Sequence, residues 1–429
     1  MASLSDKLRA MGVKLGARDL PPPRARMRHP IEQIVPGRVH ETLYGNVYVV
    51  EQRYPADLRH GSSSLTLATS LSATARWANE LRLADVGAEA LTFLDTETTG
   101  LAGGTGTYAF MVGVGRYDGT PARAGTSFHL AQFFMRDPAE EPALLAALAE
   151  FLEPCQAVVT FNGKGFDVPL LTARYIATRF ATDRTASPLH SVIHLDLLQL
   201  ARWLWRNRLS SRALGSLEAN ILGVSRTGQD VPSWMIPELY FDFLRTGDAR
   251  PLKNIFYHNA MDVLSMAALL NHIAALLDDP LRADVHGMDL VAIGRRFEAL
   301  GQTHAAESLY REGMAGSLLG QERSRTIERL SFIQKRCGDV ASAVELWRQA
   351  AQDGEIYACV ELSKFYEHRQ RDYREAARWA QAAVDLVNRP GPHRPGQSPC
   401  LADLQHRMAR LQRKLTMTQE TRFPEKEKT

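Results

Sequence analysis

The sequence lacks the features that define several classes of protein. It holds four cysteines in 429 residues, and no two of them form a CxxC pair. This excludes a cysteine zinc site and a disulfide framework, and it favours reduced thiols and a cytoplasmic location. The sequence shows neither an apolar N-terminal segment typical of a signal peptide nor a run of about 18 apolar residues, so we expect neither secretion nor a membrane span.

An excess of charge of one sign is also absent. The formal net charge is +3 at pH 7, and 23% of the residues are charged. A surface that binds nucleic acid must therefore be local, because the total charge provides little attraction to phosphate. The length exceeds what one hydrophobic core usually holds, so we expect roughly two or three domains.

The first 84 residues divide into two parts. Residues 7–30 carry seven Lys or Arg residues and one acid, Asp19. We expect residues 1–30 to form a mobile basic arm, and both a solvated tail and an arm that contacts phosphate remain open. Residues 31–84 are predicted to form a β-hairpin around Gly45-Asn46 and a short amphipathic helix over 69–84.

Strands alternate with helices in the middle of the chain. Three consecutive strands, over 91–97, 108–118 and 124–135, are followed by strand–helix units and by an apolar helix over 256–277. This order predicts an α/β domain over residues 85–280, in which helices flank a mixed sheet.

Only helices are predicted after this domain. Residues 281–388 contain three similar segments whose anchor residues are 37 and 33 positions apart (Gly301, Gly338 and Arg371). A period of about 34 resembles tetratricopeptide-type helical repeats, for which we expect a protein partner, and a generic helical domain is the alternative. Residues 389–429 comprise a Pro/Gly linker, a helix and a polar tail.

The stretch LTFLDTETTG (91–100) ends a hydrophobic strand with two carboxylates. Asp95 and Glu97 are two positions apart on a strand, so both side chains point to the same side of the sheet. Two such carboxylates repel each other unless a cation neutralises them, and hard divalent ions prefer oxygen ligands. A strand-end pair that faces water is the alternative interpretation.

Two further acids lie in segments of similar character. Asp167 opens a helix after a strand, where it can serve either as a metal ligand or as an N-cap. Asp262 lies in the apolar helix, where it needs a partner if it is buried and otherwise faces solvent. The three acidic segments together favour one metal-binding cluster.

These segments resemble a known family. FLDTETTGL, FNGKGFDVPLL and HNAMD are similar, in that order, to the three motifs of the DEDD-type 3′–5′ exonuclease superfamily, which has the ribonuclease H-like fold. Within it the chain resembles the YprB-like branch of predicted nucleases, a likeness that includes HLDLL and SLEANILGVSR. The resemblance implies a nuclease that acts on nucleic acid, with a single-stranded 3′ end as substrate. It also implies two Mg²⁺ or Mn²⁺ ions held by four acids (Asp95, Glu97, Asp167 and Asp262). The alternative is a catalytically weak nucleic-acid-binding or scaffold protein that retains the fold.

The last motif departs from both patterns of that superfamily. One group has a Tyr with three residues between it and the final Asp, and the other has a His with four. In this chain His258 has three residues between it and Asp262, whereas Tyr257 has four. Positions i and i+4 share a helix face, so we predict His258 as the general base if the helix already includes Tyr257. Tyr257 remains the alternative base.

Predicted substrate contacts follow the acidic strands. The segment TTGLAGGTGTY lacks the GK[ST] of a nucleoside-triphosphate loop, and its glycines let backbone approach a ligand, although a flexible hairpin is the alternative. Asp196 is expected to position or cap a neighbouring segment. Two interpretations of ARWLWRNRLSSR (201–212) remain open. Its arginines could contact phosphates while its tryptophans stack on bases, or the tryptophans could lie in the core while the arginines form a solvated helix face. The predicted substrate-binding residues are Thr98, Thr99, Gly100, Leu101 and Asn162.

Overall fold

The chain divides into two compact units. The first comprises residues 1–202 and 211–278, and the second comprises residues 203–210 and 279–429. Leu101, most of the predicted arm and the Pro/Gly linker lie outside the residues that the structure describes. The computed structural model describes residues 29–100, 106–119, 126–178, 180, 187–282, 284–316, 318, 320–389 and 401–422.

The first unit contains a seven-stranded mixed sheet. Its strands lie in the order β1-β2-β7-β6-β5-β8-β9, and β3 pairs with β4 in a separate ribbon. The predicted fold class, a mixed sheet flanked by helices and followed by an all-α region, is confirmed. The strands are β1 (Arg38–Thr42), β2 (Gly45–Pro55), β3 (Arg59–His60), β4 (Ser63–Ser64), β5 (Leu91–Thr98), β6 (Ala109–Asp118), β7 (Ser127–Phe134), β8 (Ala157–Thr160) and β9 (Ile193–Asp196).

Strand β5 lies inside this sheet. It pairs antiparallel with β6 and parallel with β8, which in turn pairs parallel with β9. Its first residues, Leu91, Phe93 and Leu94, are fully buried. Parallel strands end at the same edge of a sheet, so the ends of β5, β8 and β9 come together and place their last polar residues at one edge.

Helices flank the sheet in the first unit. The longest, α8, contacts β5, β6 and β7. Although no apolar window was expected, α8 contains one of mean hydropathy 1.6 that is long enough to cross a membrane. However, 78% of that window is buried inside the protein, which is typical of a core helix. The helices are α1 (Ile31–Ile34), α2 (Ser72–Ala78), α3 (Glu141–Leu152), α4 (Asp167–Ala177), α5 (Leu197–Trp205), α6 (Leu214–Leu217), α7 (Ile236–Thr246) and α8 (Leu252–Asp278). The last three residues of α5 belong to the second unit.

Two predicted elements before β5 differ from the structure. The β1–β2 hairpin is present, but Thr42 pairs with Gly45, so Leu43 and Tyr44 form its turn rather than Gly45-Asn46. The helix predicted over 69–84 is shorter, because Asn79 adopts a left-handed backbone that ends α2 after Ala78. A short 3₁₀ helix follows over Leu81–Asp85.

The described residues of the second unit form helices joined by turns, and none of them forms a strand. The three anchors of the sequence pattern, Gly301, Gly338 and Arg371, all have left-handed backbone immediately before a helix. The small residue five positions after each anchor is fully buried (Ala306, Ala343 and Ala376). The anchors therefore occupy equivalent turns between helices. The helices are α9 (Gly287–Ala299), α10 (Thr303–Ala315), α11 (Gly320–Cys337), α12 (Val340–Gln352), α13 (Ile356–Phe365), α14 (Tyr373–Asn388) and α15 (Leu401–Arg422).

Candidate active site

Four acidic side chains converge at the C-terminal end of β5. Asp95 and Glu97 on β5, Asp167 at the start of α4 and Asp262 in α8 line one cleft of about 320 Å³. The acids that the sequence separates into three segments thus share a single cavity. The other described residues that line it are Thr96, Thr98, Phe161, Asn162, Phe166, Ser233, Ile236, Pro237 and His258.

The four carboxyl groups hold their protons unusually tightly. Burial raises the pKa of Asp95 and the pKa of Glu97 well above their usual ranges, and the neighbouring carboxylates raise both further. Burial also raises the pKa of Asp167 to about 6. The pKa of Asp262 is raised by burial too, although His258 and the nearby Arg226 oppose that shift. Without a cation, the protein disfavours charge on all four acids.

The carboxylate of Asp95 accepts a hydrogen bond from a buried amide. The Asn259 side chain in α8 donates through Nδ2 to Asp95 Oδ2 at 2.8 Å, and its Oδ1 accepts from Gln132 Nε2 at 2.9 Å. Gly113 lies opposite Asp95 in the β5–β6 register. A Cβ at Gly113 would lie 2.0 Å from Asn259 Oδ1. The glycine therefore leaves the space that the amide needs to reach the carboxylate.

Asp167 does not act as an N-cap. The helix α4 begins at Asp167 itself, and Phe166, which occupies the cap position, makes no side-chain cap bond. The carboxylate of Asp167 instead accepts a hydrogen bond from the Thr96 hydroxyl. The helix start thus directs this acid toward the end of β5.

Asp196 positions the turn that precedes α4, as expected. Its carboxylate at the end of β9 accepts hydrogen bonds from the backbone N–H of Asn162 at 2.8 Å and of Lys164 at 3.2 Å. Asn162 adopts a left-handed backbone with φ of 69°. These bonds hold the turn at the cleft in a conformation that is uncommon for a residue other than glycine.

The donor set fits a hard divalent cation. Glu97 Oε1 is buried and has no hydrogen-bond partner in the described part of the chain. Ligand atoms of Glu97, His258 and Asp262 lie within 4.8 Å of one another. A cation in the cleft would satisfy the orphaned oxygen and relieve the repulsion among the acids, and carboxylate oxygens are preferred ligands of Mg²⁺ and Mn²⁺.

His258 lies on the same face of α8 as Asp262. Its Nε2 is 3.4 Å from Asp262 Oδ2, and its Nδ1 is 2.7 Å from Asp230 Oδ1. The helix begins before Tyr257, which is the condition under which the spacing predicts His258 in the cleft. The Tyr257 hydroxyl lies elsewhere and accepts a hydrogen bond from the Thr227 N–H at 3.1 Å.

Arg226 reaches the site although the sequence analysis assigned it no role. Its guanidinium donates to the carboxylate of Asp262 and, through two nitrogens at 2.7 Å each, to Glu218. Its Nη1 also lies 3.2 Å from His258 Nδ1. The segment SLEANILGVSR, which contains both Glu218 and Arg226, already belonged to the family resemblance and was the available signal.

The predicted substrate residues fall into two groups. Thr98 and Asn162 line the cleft. Thr99 and Gly100 have hydrogen bonds within the segment itself, because Thr99 Oγ1 accepts from the Tyr108 N–H and the Gly100 carbonyl accepts from the Thr98 hydroxyl, both at 2.9 Å. The structure therefore places the first pair at the cavity and gives the second pair contacts that stabilise the strand end.

The described side chains of the segment 201–212 do not all support the same interpretation. Trp205 is fully buried, which supports the core interpretation for this residue rather than base stacking. Trp203 is 52% exposed, and the Arg296 guanidinium lies 4.6 Å from its ring centroid. Arg208 donates to Asp289 at 2.6 Å, so its charge is paired.

The model of the RNase H superfamily matches residues 92–274, which include all four acids of the cleft, so this part of the chain is an RNase H superfamily domain. The match covers the strand that carries Asp95 and extends through the helix that carries Asp262. It supports nuclease activity that depends on divalent metal, with nucleic acid as the substrate.

The similarity to a known protein extends beyond this domain. The chain is 30% identical over 377 residues to the uncharacterized protein YprB of Bacillus subtilis (strain 168), and the alignment covers 85% of each chain. The chain belongs to the family of that protein.

Proposed function

We propose that this chain is a DEDD-type nuclease that removes nucleotides from the 3′ end of single-stranded nucleic acid. The observation that carries the proposal is the convergence of four acids on one cleft around the orphaned Glu97 Oε1. Two Mg²⁺ or Mn²⁺ ions, when bound, would activate the attacking water and neutralise the departing oxygen. The proposed ligands are Asp95, Glu97, Asp167 and Asp262.

His258 is the proposed general base. A proton on Nδ1, donated to Asp230 Oδ1 at 2.7 Å, would leave the Nε2 lone pair free to accept a proton beside Asp262. Nε2 takes a proton from water, whose oxygen bonds to phosphorus while the bond from phosphorus to the 3′ oxygen breaks. The departing 3′ oxygen takes a proton from solvent, and a nucleoside 5′-monophosphate leaves. Tyr257 is the alternative base.

An exposed indole supports a single-stranded substrate. Trp234 is 68% exposed and lies in the chain between Ser233 and Ile236, both of which line the cleft. An unpaired base can stack on such a ring for about 1–3 kcal/mol, whereas the bases of a duplex are already stacked on each other. The proposed substrate contacts are Thr98, Thr99, Gly100, Leu101 and Asn162, and of these Thr98 and Asn162 line the cleft.

The second unit is proposed to bind another protein. Its three equivalent turns, each followed by a fully buried alanine, support stacked helical repeats of the tetratricopeptide type. The reduced thiols that the cysteine pattern indicates accord with a cytoplasmic enzyme. Capture of a partner by immobilised full-length protein, lost when exposed residues of α9–α15 are changed, tests this part of the proposal.

One observation favours a second candidate function. The Arg226 guanidinium binds Asp262, so an internal cation already neutralises one of the four acids. In a protein that binds nucleic acid without hydrolysing it, such an arginine could replace a metal ion permanently. The two functions differ in whether added metal produces cleavage.

The decisive experiment incubates purified protein with 5′-labelled DNA and RNA strands in Mn²⁺ or Mg²⁺, with EDTA as the metal-free arm. We expect stepwise shortening from the 3′ end, inhibition by a 3′-phosphate, and no cleavage in EDTA. Asp95→Asn should abolish cleavage, whereas Asp57→Asn, an exposed position outside the cleft, should not. Cleavage of circular single strands would indicate an endonuclease, and binding without cleavage in every metal would favour the second candidate.

A further inference from the structure

A buried carboxylate holds Arg226 in a forked contact. Glu218 is 1% exposed, and its two oxygens accept from Arg226 Nε and Nη2 in a fork at 2.7 Å each. The same Nη2 donates to Asp262. A planar guanidinium bound on two sides has little freedom to rotate, so the position of Glu218 sets the position of Asp262. We call Glu218, Arg226 and Asp262 the arginine clamp.

The backbone that carries Glu218 is supported by the ribbon of β3 and β4. Glu218 begins a π-helical turn over Glu218–Leu222, which is capped by Gly223 in left-handed backbone. The Leu222 carbonyl in this turn accepts from the Ser62 N–H at 2.6 Å. A Cβ at Gly61 would lie 2.1 Å from the same carbonyl oxygen, so the RHG motif (59–61) needs its glycine for this close approach.

The ribbon also reaches Glu218 through side chains. Ser265 in α8 donates to Glu218 Oε1 at 2.5 Å, and its hydroxyl lies 2.8 Å from His60 Nε2. Because the serine proton goes to Glu218, His60 Nε2 must be the donor of the second bond. Burial lowers the pKa of His60, which favours the neutral ring. A continuous chain of hydrogen bonds therefore leads from β3 to the clamp.

We propose that Arg226 is a positioning residue, which the fork from Glu218 holds so that Asp262 and His258 face the cleft in the geometry that metal binding and proton transfer require. The inference rests on the proposed function of the cleft. Arg226 itself is not among the described residues that line the cleft, so it acts through Asp262 and through the His258–Asp230 pair rather than on the substrate. Residues that orient metal ligands in this way commonly change metal affinity or activity by about 10–100-fold when they are replaced.

The test uses Arg226→Lys, which keeps the positive charge but removes the fork. Its matched control is Arg250→Lys, because Arg250 makes a similar forked contact with Asp248 but is 62% exposed on the surface. Each full-length variant is assayed for Mn²⁺ affinity by calorimetry, for kcat and KM on a labelled single strand, and for its unfolding midpoint. Ser265→Ala is a milder variant, since it removes one bond to Glu218 and leaves every charge in place.

We expect Arg226→Lys to lower Mn²⁺ affinity, kcat or both by about 10–100-fold, with KM changed less than about twofold. Ser265→Ala should cause a smaller loss in the same quantities, and the control should match the wild type. If the clamp acts as a unit, the double variant Arg226→Lys with Glu218→Gln will lose no more Mn²⁺ affinity or kcat than the more impaired of the two single variants.

Three results would overturn the inference: equal values for Arg226→Lys and its control, fully additive losses in the double variant, or higher activity in Arg226→Lys. A wild-type protein that binds Mn²⁺ but cleaves no nucleic acid would contradict the proposed function. The Mn²⁺ affinities of the variants would then still decide whether the arginine clamp positions Asp262 for metal binding. A wild-type protein that binds no Mn²⁺ would overturn both.

Discussion

Asp167→Asn should stabilise the metal-free protein above about pH 6. Burial raises the pKa of Asp167 from its ordinary value of 3.8 to about 6. The folded protein thus holds this proton more tightly than the unfolded chain, and ionisation of Asp167 opposes folding. Stability is lost as pH rises through this window, and the loss is complete above about pH 6. A pKa that rises from 3.8 to about 6 on folding corresponds to about 3 kcal/mol.

Asparagine suits this test because its side-chain oxygen can still accept the hydrogen bond from Thr96. The expected gain is near zero at about pH 4 and grows to at most about 3 kcal/mol at about pH 7.5, a rise of several degrees in the unfolding midpoint. Thermal and urea unfolding in EDTA measure this gain, with Asp57→Asn as the exposed control. Saturating Mn²⁺ should reverse the order, since a folded state that binds metal more tightly gains more stability. The reasoning would be refuted if Asp167→Asn changed the free energy of unfolding equally at both pH values. It would also be refuted if the variant were less stable than the wild type at about pH 7.5.

Three further predictions concern the neighbours of the acids. Gly113→Ala should displace the amide behind Asp95, with a loss of about 1–3 kcal/mol in the free energy of unfolding and a lower hydrolysis rate, whereas Gly228→Ala, where a Cβ meets nothing within 4 Å, should change neither. His258→Ala should lower the hydrolysis rate by about 10²–10⁴-fold in metal-saturated assays, and Tyr257→Phe should have little effect because its ring remains. Trp234→Ala should raise KM for single strands by about 5–100-fold, the equivalent of one lost stacking contact, with little change in kcat.

Specific outcomes would contradict each of these predictions. Full activity and stability in Gly113→Ala would show that the amide relaxes without displacing the carboxylate. A large loss for Tyr257→Phe with a near-normal His258→Ala would make Tyr257 the residue that orients the water. An unchanged KM for Trp234→Ala, measured on both DNA and RNA, would remove the indole from the substrate path.

Each acid of the cleft breaks a strong local pattern, and the family resemblance of the three segments singles out the four acids together. Asp95 and Glu97 end an apolar strand, Asp167 starts a helix after another strand, and Asp262 interrupts an apolar helix. Elements of this kind have clear periodicity, so the sheet and its flanking helices could be predicted with them. The hairpin turn could not, because Gly45-Asn46 is a strong turn signal that loses here to the pairing of Thr42 with Gly45.

The residues that support the acids were not predictable because their partners are far away in the chain. Asn259 binds Asp95 across 164 positions, and Arg226 binds Asp262 across 36. Arg226 lies in an irregular segment without periodicity, and a lone arginine there resembles a solvated side chain. The apolar helix itself was predicted, but its membrane-length window was not, because Asp262 and Ser265 interrupt a continuous apolar run while the mean hydropathy of the window stays at 1.6.

The place of α8 at the end of the first unit has a consequence for the order of synthesis. A growing chain contains Asp95, Glu97 and Asp167 long before it contains Asp262. Until α8 has been made and has docked against β5, the three earlier acids have neither their fourth member nor the amide that orients Asp95. Under the proposed function, an incomplete chain on the ribosome therefore cannot cleave nucleic acid, and completion of the fold is itself the event that activates the enzyme.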